Sequence, residues 1–109
     1  MLNPFQKIIE TQLESVQKQI GQAMDELRRM ELEASAGGGA VTVRVTGLGE
    51  ILDVKIDPEV IAGGDVELIQ DLVCAGVREA LRKASEMKRE KVMAATPLGA
   101  MGMELPDIF

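Results

Sequence analysis

Basic side chains concentrated near the end of the sequence are its strongest chemical signal. Six lie between positions 78 and 91, in a chain with 12 Lys and Arg, 18 Asp and Glu and a net charge of −6. They are Arg78, Arg82, Lys83, Lys88, Arg89 and Lys91. The three arginines, with Ser85 between the last two, follow steps of four, three and four residues and therefore line one helical face. Because the arginine fork pairs bidentately with phosphate oxygens, this row predicts contact with a nucleic-acid backbone.

An exposed helix laced with ion pairs is the alternative interpretation, because a pair such as Glu79 with Lys83 needs no ligand. The first helix adds Arg28 and Arg29 to the candidate DNA-binding residues, although acidic residues surround them. The net charge of −6 opposes encounter with nucleic acid unless positive charge is concentrated on one surface. Tyr and Trp, which stack against single strands, are absent, so the duplex backbone is the favoured ligand.

Enzymatic chemistry finds little support in the residue types. The chain has no histidine and one cysteine, which excludes Cys/His zinc sites, Ser-His-Asp and Cys-His nucleophile systems and an intrachain disulfide. That cysteine, Cys74, lies in an apolar helical stretch where a buried, inert thiol is expected. The glycines at 37–39 and 47–49 predict turns, since neither group is followed by Lys-Ser/Thr. We therefore expect a protein that is not an enzyme and that uses no metal or cofactor.

The first element that positions the basic residues is a long helix, predicted from Pro4 to about Ala34. Apolar or small residues recur here at alternating steps of four and three, which is the seam of a helix that packs lengthwise against another helix. The seam residues are Ile9, Leu13, Val16, Ile20, Ala23, Leu27, Met30 and Ala34. Asn3 suits the N-cap and Pro4 the first turn, and the glycine run at 37–39 ends the segment.

The period then changes from helical to alternating. Valine alternates with polar residues over 41–46, and after the second glycine turn another alternation continues to Ile56. Asp57-Pro58 stops this strand, because proline cannot donate a ladder hydrogen bond. The two strands predict an antiparallel hairpin or short meander. A second long helix follows, with Asp65 as its N-cap and an apolar stripe that is widest before Ala84.

These elements predict an α+β fold with one domain over 1–94 and a flexible Met/Gly/Pro-containing tail over 95–109. A helix of about 30 residues is about 45 Å long, far longer than a small compact domain, so the helices must protrude. A small sheet and a seam that outruns the core predict a homodimer with the helices as arms. No segment has the composition of a signal peptide or a membrane span, so we expect a cytoplasmic protein.

The order of these elements, with Ile56-Asp57-Pro58 and the helix start at Leu68–Val73, resembles the YbaB/EbfC family of bacterial nucleoid-associated proteins over nearly the whole chain. The resemblance implies a tweezer-like homodimer in the nucleoid that binds duplex DNA with low or variable sequence specificity. It also implies a part in nucleoid organisation or gene regulation. The family brings no catalytic or compact DNA-contact motif, so the basic residues are assigned from charge alone. Gly76 departs from the small, alanine-like residue usual at that position.

Two functional hypotheses follow from these patterns. In the first, basic residues on protruding helices of a homodimer contact the phosphate backbone of duplex DNA. In the second, the dimer is a protein-interaction adaptor without direct DNA binding. The second draws support from Met93, Met101 and Met103, because flexible thioethers adapt to varied partners. Neither hypothesis involves a membrane or a small-molecule substrate.

Overall fold

A three-stranded antiparallel sheet joined to two long helices forms the fold in the computed structural model, which describes residues 3–95. The sheet has the order β1-β2-β3, and the molecule measures 72 × 23 × 18 Å because the helices project from the sheet. The elements are α1 (Pro4–Arg29), β1 (Glu31–Ala36), β2 (Val41–Thr46), β3 (Ile51–Ile56), α2 (Pro58–Ala62) and α3 (Val66–Ala95). The predicted α+β architecture with two long helices is confirmed.

Both predicted helix caps are present. At α1, the side chain of Asn3 accepts a hydrogen bond of 2.7 Å from the backbone N–H of Gln6, whose side chain accepts one from the backbone of Asn3. At α3, Asp65 Oδ1 accepts from the N–H of Leu68 at 3.0 Å. Each cap satisfies N–H groups that the first helical turn leaves without a partner. The short helix α2, which begins at Pro58, was not predicted.

The predicted extension of the first helix to Ala34 is wrong, because α1 ends at Arg29 and a strand follows. Met30 already has an extended backbone, and β1 pairs with β2 along its whole length. A 3₁₀ turn at 37–39 connects the two strands. Ala34 fits the helical seam by its spacing, yet it also belongs to an alternating pattern with Leu32 and Ala36 that sheet pairing uses. Its burial, with 2% exposed, is against α3.

Small residues along α3 let the helix lie directly on the central strand. Gly76, Ala80 and Ala84 are buried on α3, and they face the valines of β2, which are fully buried: Val41, Val43 and Val45. A Cβ at Gly76 would lie 3.1 Å from the Val43 side chain and 3.3 Å from that of Val41. The departure at Gly76 noted in the sequence therefore coincides with a close approach of helix and sheet.

The turn between β2 and β3 also fixes the end of α1. The N–H of Gly47 donates to the carbonyl oxygen of Leu27 at 2.9 Å, and Leu27 is fully buried. A Cβ at Gly47 would lie only 2.8 Å from that oxygen. Of the two glycines of the turn, Gly49 alone adopts a positive φ angle. Gly47 instead permits close contact between the turn and α1.

The third strand is left partly uncovered by the helices. α3 lies over β1 and β2, and its stripe does not extend across β3. Val54 is in register with the buried Val43 and so shares its face of the sheet, yet Val54 is 38% exposed. A bulge at Arg44/Val45 brings Ile51 opposite Val45, and Ile51 is also exposed. The core is therefore open on one side.

On the opposite face of the sheet, Arg44 forms ion pairs with residues of the two neighbouring strands. Its guanidinium group contacts Asp53 of β3 at 2.6 Å and Glu31 of β1 at 2.9 Å, and so joins all three strands. The hydrogen bond from Arg44 is the main cause that lowers the pKa of Asp53 below its usual range. The hydrogen bond to Asp53 and the attraction of the two carboxylates raise the pKa of Arg44.

Two sequence expectations concern segments that the structure covers only in part. Of the predicted tail, 95–109, only Ala95 is described, and it belongs to α3; the rest lies outside the described residues. The domain limit near residue 94 therefore stays a prediction. Among helices within 3–95, none has the length and apolar character needed to cross a membrane.

Replacement of Gly47 by alanine is expected to destabilise the fold by about 1–3 kcal/mol, since the new methyl group meets backbone that cannot move independently of Leu27. Urea unfolding followed by circular dichroism, at one fixed protein concentration, measures the change. Gly21→Ala is the matched control: apart from the adjoining backbone of α1, no described atom lies within 4 Å of its added Cβ. That control should stabilise the protein by about 1 kcal/mol. Equal stability of Gly47→Ala and wild type would contradict the close contact between Gly47 and Leu27.

Asp53→Asn should lower stability at neutral pH and lose this disadvantage in acid. A carboxylate whose pKa is lowered by folding stabilises the native state above its ordinary pKa, and the contribution is lost as the pH falls through the lowered value. Unfolding midpoints of variant and wild type should therefore converge as the pH falls below about 4. Glu33→Gln is the control, because it removes a carboxylate that has no ion pair with Arg44. A difference in unfolding midpoint that is the same at every pH would show that the charge of Asp53 is not the source of its stabilising effect.

Candidate nucleic-acid interface

α3 holds most of the candidate basic residues, and its packing decides which side they occupy. Ala80 and Ala84 face the sheet and are buried. Helical periodicity therefore places Arg78 and Arg82 on the far side of α3, one turn apart, and both are exposed. Their role as DNA contacts stays a prediction.

Arg82 is held between two carboxylates of its own helix. Its guanidinium contacts Glu79 at 2.6 Å and Glu86 at 2.6 Å. The hydrogen bond to Glu79, and then the attraction of both carboxylates, raises the pKa of Arg82, and the same bond lowers the pKa of Glu79. The side chains of Arg82, Glu79 and Glu86 are 52, 39 and 63% exposed, so these pairs contribute little stability and another anion can replace them. The predicted pair of Glu79 with Lys83 is not the one that forms.

Arg78 borders an open apolar groove beside α3. The groove measures about 700 Å³, and its other lining residues are Ile69, Gln70, Val73, Cys74, Val77 and Leu81. Within residues 3–95, Arg78 forms no ion pair. Four of the lining residues recur at every fourth position from 69 to 81, so they form a stripe beside the small residues that face the sheet. From the sequence, these residues were assigned to the apolar stripe of the helix, and the groove was not predicted.

Cys74 lies on this groove and is exposed, so the expected buried thiol is wrong. Apolar neighbours in sequence suggested burial, but consecutive helical residues point in different directions. Gly76 is the nearby residue that faces the sheet, and a step of two residues turns the side chain most of the way to the other side of α3.

Two lysines tie α3 to neighbouring elements. Lys83 Nζ donates a 2.9 Å hydrogen bond to the carbonyl oxygen of Glu33 in β1. Lys91 Nζ lies 3.4 Å from a carboxylate oxygen of Glu26 in α1. Both lysines therefore have structural contacts, and their ammonium groups point towards the body of the protein.

Lys88 and Arg89 are half-buried. Lys88 lines a cavity of about 260 Å³ together with Ser85 and the turn at 47–49. The side chains of Lys88 and Arg89 are therefore less accessible to a duplex than those of Arg78 and Arg82. The predicted row of three arginines on α3 consists of two exposed members and one half-buried member.

The last turn of α1 contains the remaining candidates, Arg28 and Arg29. Arg28 pairs with Asp25 at 2.9 Å, and both side chains are more than half exposed. Arg29 is exposed and has no ion pair among the described residues. Basic residues in this position also interact favourably with the helix dipole, so they stabilise α1 whether or not DNA is bound.

The arrangement is suited to contact with a polyanion rather than to catalysis. Exposed guanidinium groups lie on the outer side of α3 and at the end of α1. The sheet holds both helices in place. Across residues 3–95, no group of His, Cys, Asp and Glu side chains is placed to hold a metal ion.

Comparison with known proteins agrees with this arrangement. Residues 4–100 match the YbaB/EbfC DNA-binding family. A nucleoid-associated protein of Alkaliphilus metalliredigens is 42% identical over 90% of this chain and 82% of its own length, and one of Acetivibrio thermocellus is 44% identical over 90% and 84%. An uncharacterised protein of Helicobacter pylori, HP0035, has the same fold, with a TM-score of 0.70 and 22% identity over 83% of this chain and 92% of that one.

The family match covers both long helices and the whole sheet. It confirms the resemblance seen in the order of elements and around Ile56-Asp57-Pro58. It also agrees with the expectation of a non-enzymatic protein, since the family is one of DNA-binding proteins. The chain belongs to the YbaB/EbfC DNA-binding family.

Proposed function

We propose that this protein binds duplex DNA in the nucleoid as a homodimer, through phosphate contacts from basic residues on its helices. The observation that supports this most directly is the pair of exposed arginines on α3, Arg78 and Arg82, in a chain of a DNA-binding family. Relatives named nucleoid-associated proteins support the nucleoid as its location. Nucleoid organisation or gene regulation is the role we infer.

Exchange of carboxylate partners for phosphate is the proposed binding step at Arg82. Free Arg82 is neutralised by Glu79 and Glu86, which limits long-range attraction to DNA. When a phosphate approaches, the exposed carboxylates can release the guanidinium, because ion pairs between solvent-exposed groups contribute little stability. Arg78 and Arg29, which lack ion pairs within residues 3–95, supply contacts that require no exchange.

Low or variable sequence specificity follows from the same chemistry. Phosphate contacts position a protein on the duplex and carry no sequence information directly. The remaining candidate residues, Lys83, Lys88, Arg89, Lys91 and Arg28, have structural contacts or partial burial and are proposed as secondary contacts.

A second copy of the chain is the proposed occupant of the groove beside α3. The groove is lined mainly by large apolar side chains, and the uncovered face of β3 with Val54 and Ile51 is exposed as well. A sheet of three strands with one open side gains stability by packing against another such surface. A homodimer also doubles the arginines, which raises the number of phosphates that one molecule can contact.

A protein-interaction adaptor without direct DNA binding is the second candidate. The apolar groove supports it, because a contiguous exposed apolar surface marks an interaction site. The two candidates differ in a simple observation. An adaptor retains a stoichiometric protein partner after nuclease treatment and fails to bind duplex DNA even at low salt.

Binding to a short labelled duplex should weaken steeply with salt. If a dimer makes six to eight phosphate contacts, the slope of log K against log salt is about −5 to −7. Arg82→Gln removes one contact from each protomer and should make the slope shallower by about 2. Glu79→Gln with Glu86→Gln should instead strengthen binding several-fold, because Arg82 then has no competing carboxylate. Fluorescence anisotropy at several salt concentrations measures both effects.

Arg44→Gln is the matched control for this experiment. Arg44 is also held by two carboxylates, but on the outer face of the sheet, so its replacement should leave the salt slope unchanged. If Arg82→Gln and Arg44→Gln both reproduce the wild-type slope, Arg82 is not a DNA contact.

Leu81→Glu is expected to weaken the dimer by about a hundredfold, since an unpaired charge in a buried apolar contact costs several kcal/mol. Leu81 lines the groove and is 41% exposed, so the folded protomer should tolerate the change. Light scattering over a range of concentrations measures the mass, and circular dichroism checks the fold. Ala75→Glu places the same charge on an exposed position of α3 that does not line the groove. Dimers of unchanged affinity in Leu81→Glu would exclude this face.

A further inference from the structure

The apolar seam of α1 passes from buried to exposed along the helix. Leu27 and Ala23, close to the sheet, are 0% and 5% exposed. Further out, four large side chains on one side of α1 are 71, 59, 45 and 58% exposed, and we call them the tip strip: Phe5, Ile8, Ile9 and Leu13. A contiguous row of this kind calls for a partner, whereas single exposed apolar residues do not.

α3 does not cover the tip strip. Its last described residue, Ala95, lines a shallow groove with Gln19 and Ala23 of α1, well inside the tip. α1 therefore continues for about four turns beyond the level of Ala95, or about 22 Å. The seam that packs against α3 and the tip strip are parts of one continuous pattern, so the tip strip has the spacing of a helix-pairing surface.

The charges around the tip strip favour a second copy of the same helix as its partner. Residues 4–18 contain two lysines and two glutamates, so this segment is neutral in a chain of net charge −6. Two such segments meet without net repulsion, whereas the remainder of two acidic chains would repel. DNA does not fit, because the strip itself offers phosphate no positive charge.

We propose that the tip strips of two copies from different dimers pack against each other, so that two dimers join through their arms. Antiparallel pairing is the geometry that suits the fold, because each sheet lies at the C-terminal end of α1 and the two bodies then stay apart. The contact uses a different surface from the groove beside α3. The inference rests on the proposed homodimer, and it adds that one assembly can hold two DNA segments.

Sedimentation of the full chain from low micromolar to several hundred micromolar concentration tests this assembly. The wild type should pass from the dimer mass to twice that mass as the concentration rises. Ile9→Glu with Leu13→Glu should remain a dimer over the whole range, with the dimer–dimer dissociation constant raised at least tenfold. Because both side chains are exposed in the folded chain, the helical circular dichroism and the affinity for a short duplex should not change.

Lys18→Glu is the charge-matched control, since it also lowers the net charge by two, but on the side of α1 opposite the tip strip. This control should associate like the wild type. A wild-type mass that never exceeds the dimer would overturn the proposal, and so would association that persists unchanged in Ile9→Glu with Leu13→Glu. A protein that is monomeric at every concentration would instead contradict the proposed homodimer, so the two failures are distinguishable.

Discussion

Close contact between α3 and the central strand is the constraint on which the remaining structure depends. Gly76, Ala80 and Ala84 give the helix a narrow face, and the valines of β2 fill the space beneath it. A larger residue at Gly76 would require the Val43 side chain to move, since the new Cβ would lie 3.1 Å from Cγ2 of Val43. Because the fixed face is narrow, the rest of α3 stays free: the groove lies on one flank, and the exposed Arg78 and Arg82 lie on the side away from the sheet.

Charge in this protein is largely neutralised within the fold. Arg44 on the sheet and Arg82 on α3 are each held between two carboxylates, and Lys91 joins α3 to Glu26 of α1. An acidic chain can thus hold cations in fixed positions without creating a strongly positive surface. In the proposed binding, such a surface meets a polyanion through exchange of ion-pair partners at short range, and its affinity responds strongly to salt.

The sequence predicted well where one periodicity was strong and local. Asn3 and Asp65 were identified as caps because capping chemistry involves only a few neighbouring residues. β1 was missed because Ala34 satisfies both the helical seam and the strand alternation, and its pairing with distant β2 decides between them. Local patterns also could not predict the exposure of Cys74, which depends on the direction of its side chain around α3. Nor could they predict the ion pairs of Arg82, which depend on which carboxylate is nearest.

The hydrogen bond between Gly47 and Leu27 has a mechanical consequence for the arm. α1 is anchored at its sheet end by this bond and by α3, whereas its other end is a rod that no described element supports. Over an unsupported length of about 22 Å, a bend of about 10° displaces the tip by about 4 Å. The stiffness of the α1 backbone, rather than side-chain packing, therefore sets how far the tip of α1 can move relative to the sheet. In the proposed homodimer, two such rods form a compliant clamp, which can close on objects of somewhat different width without disturbing the core.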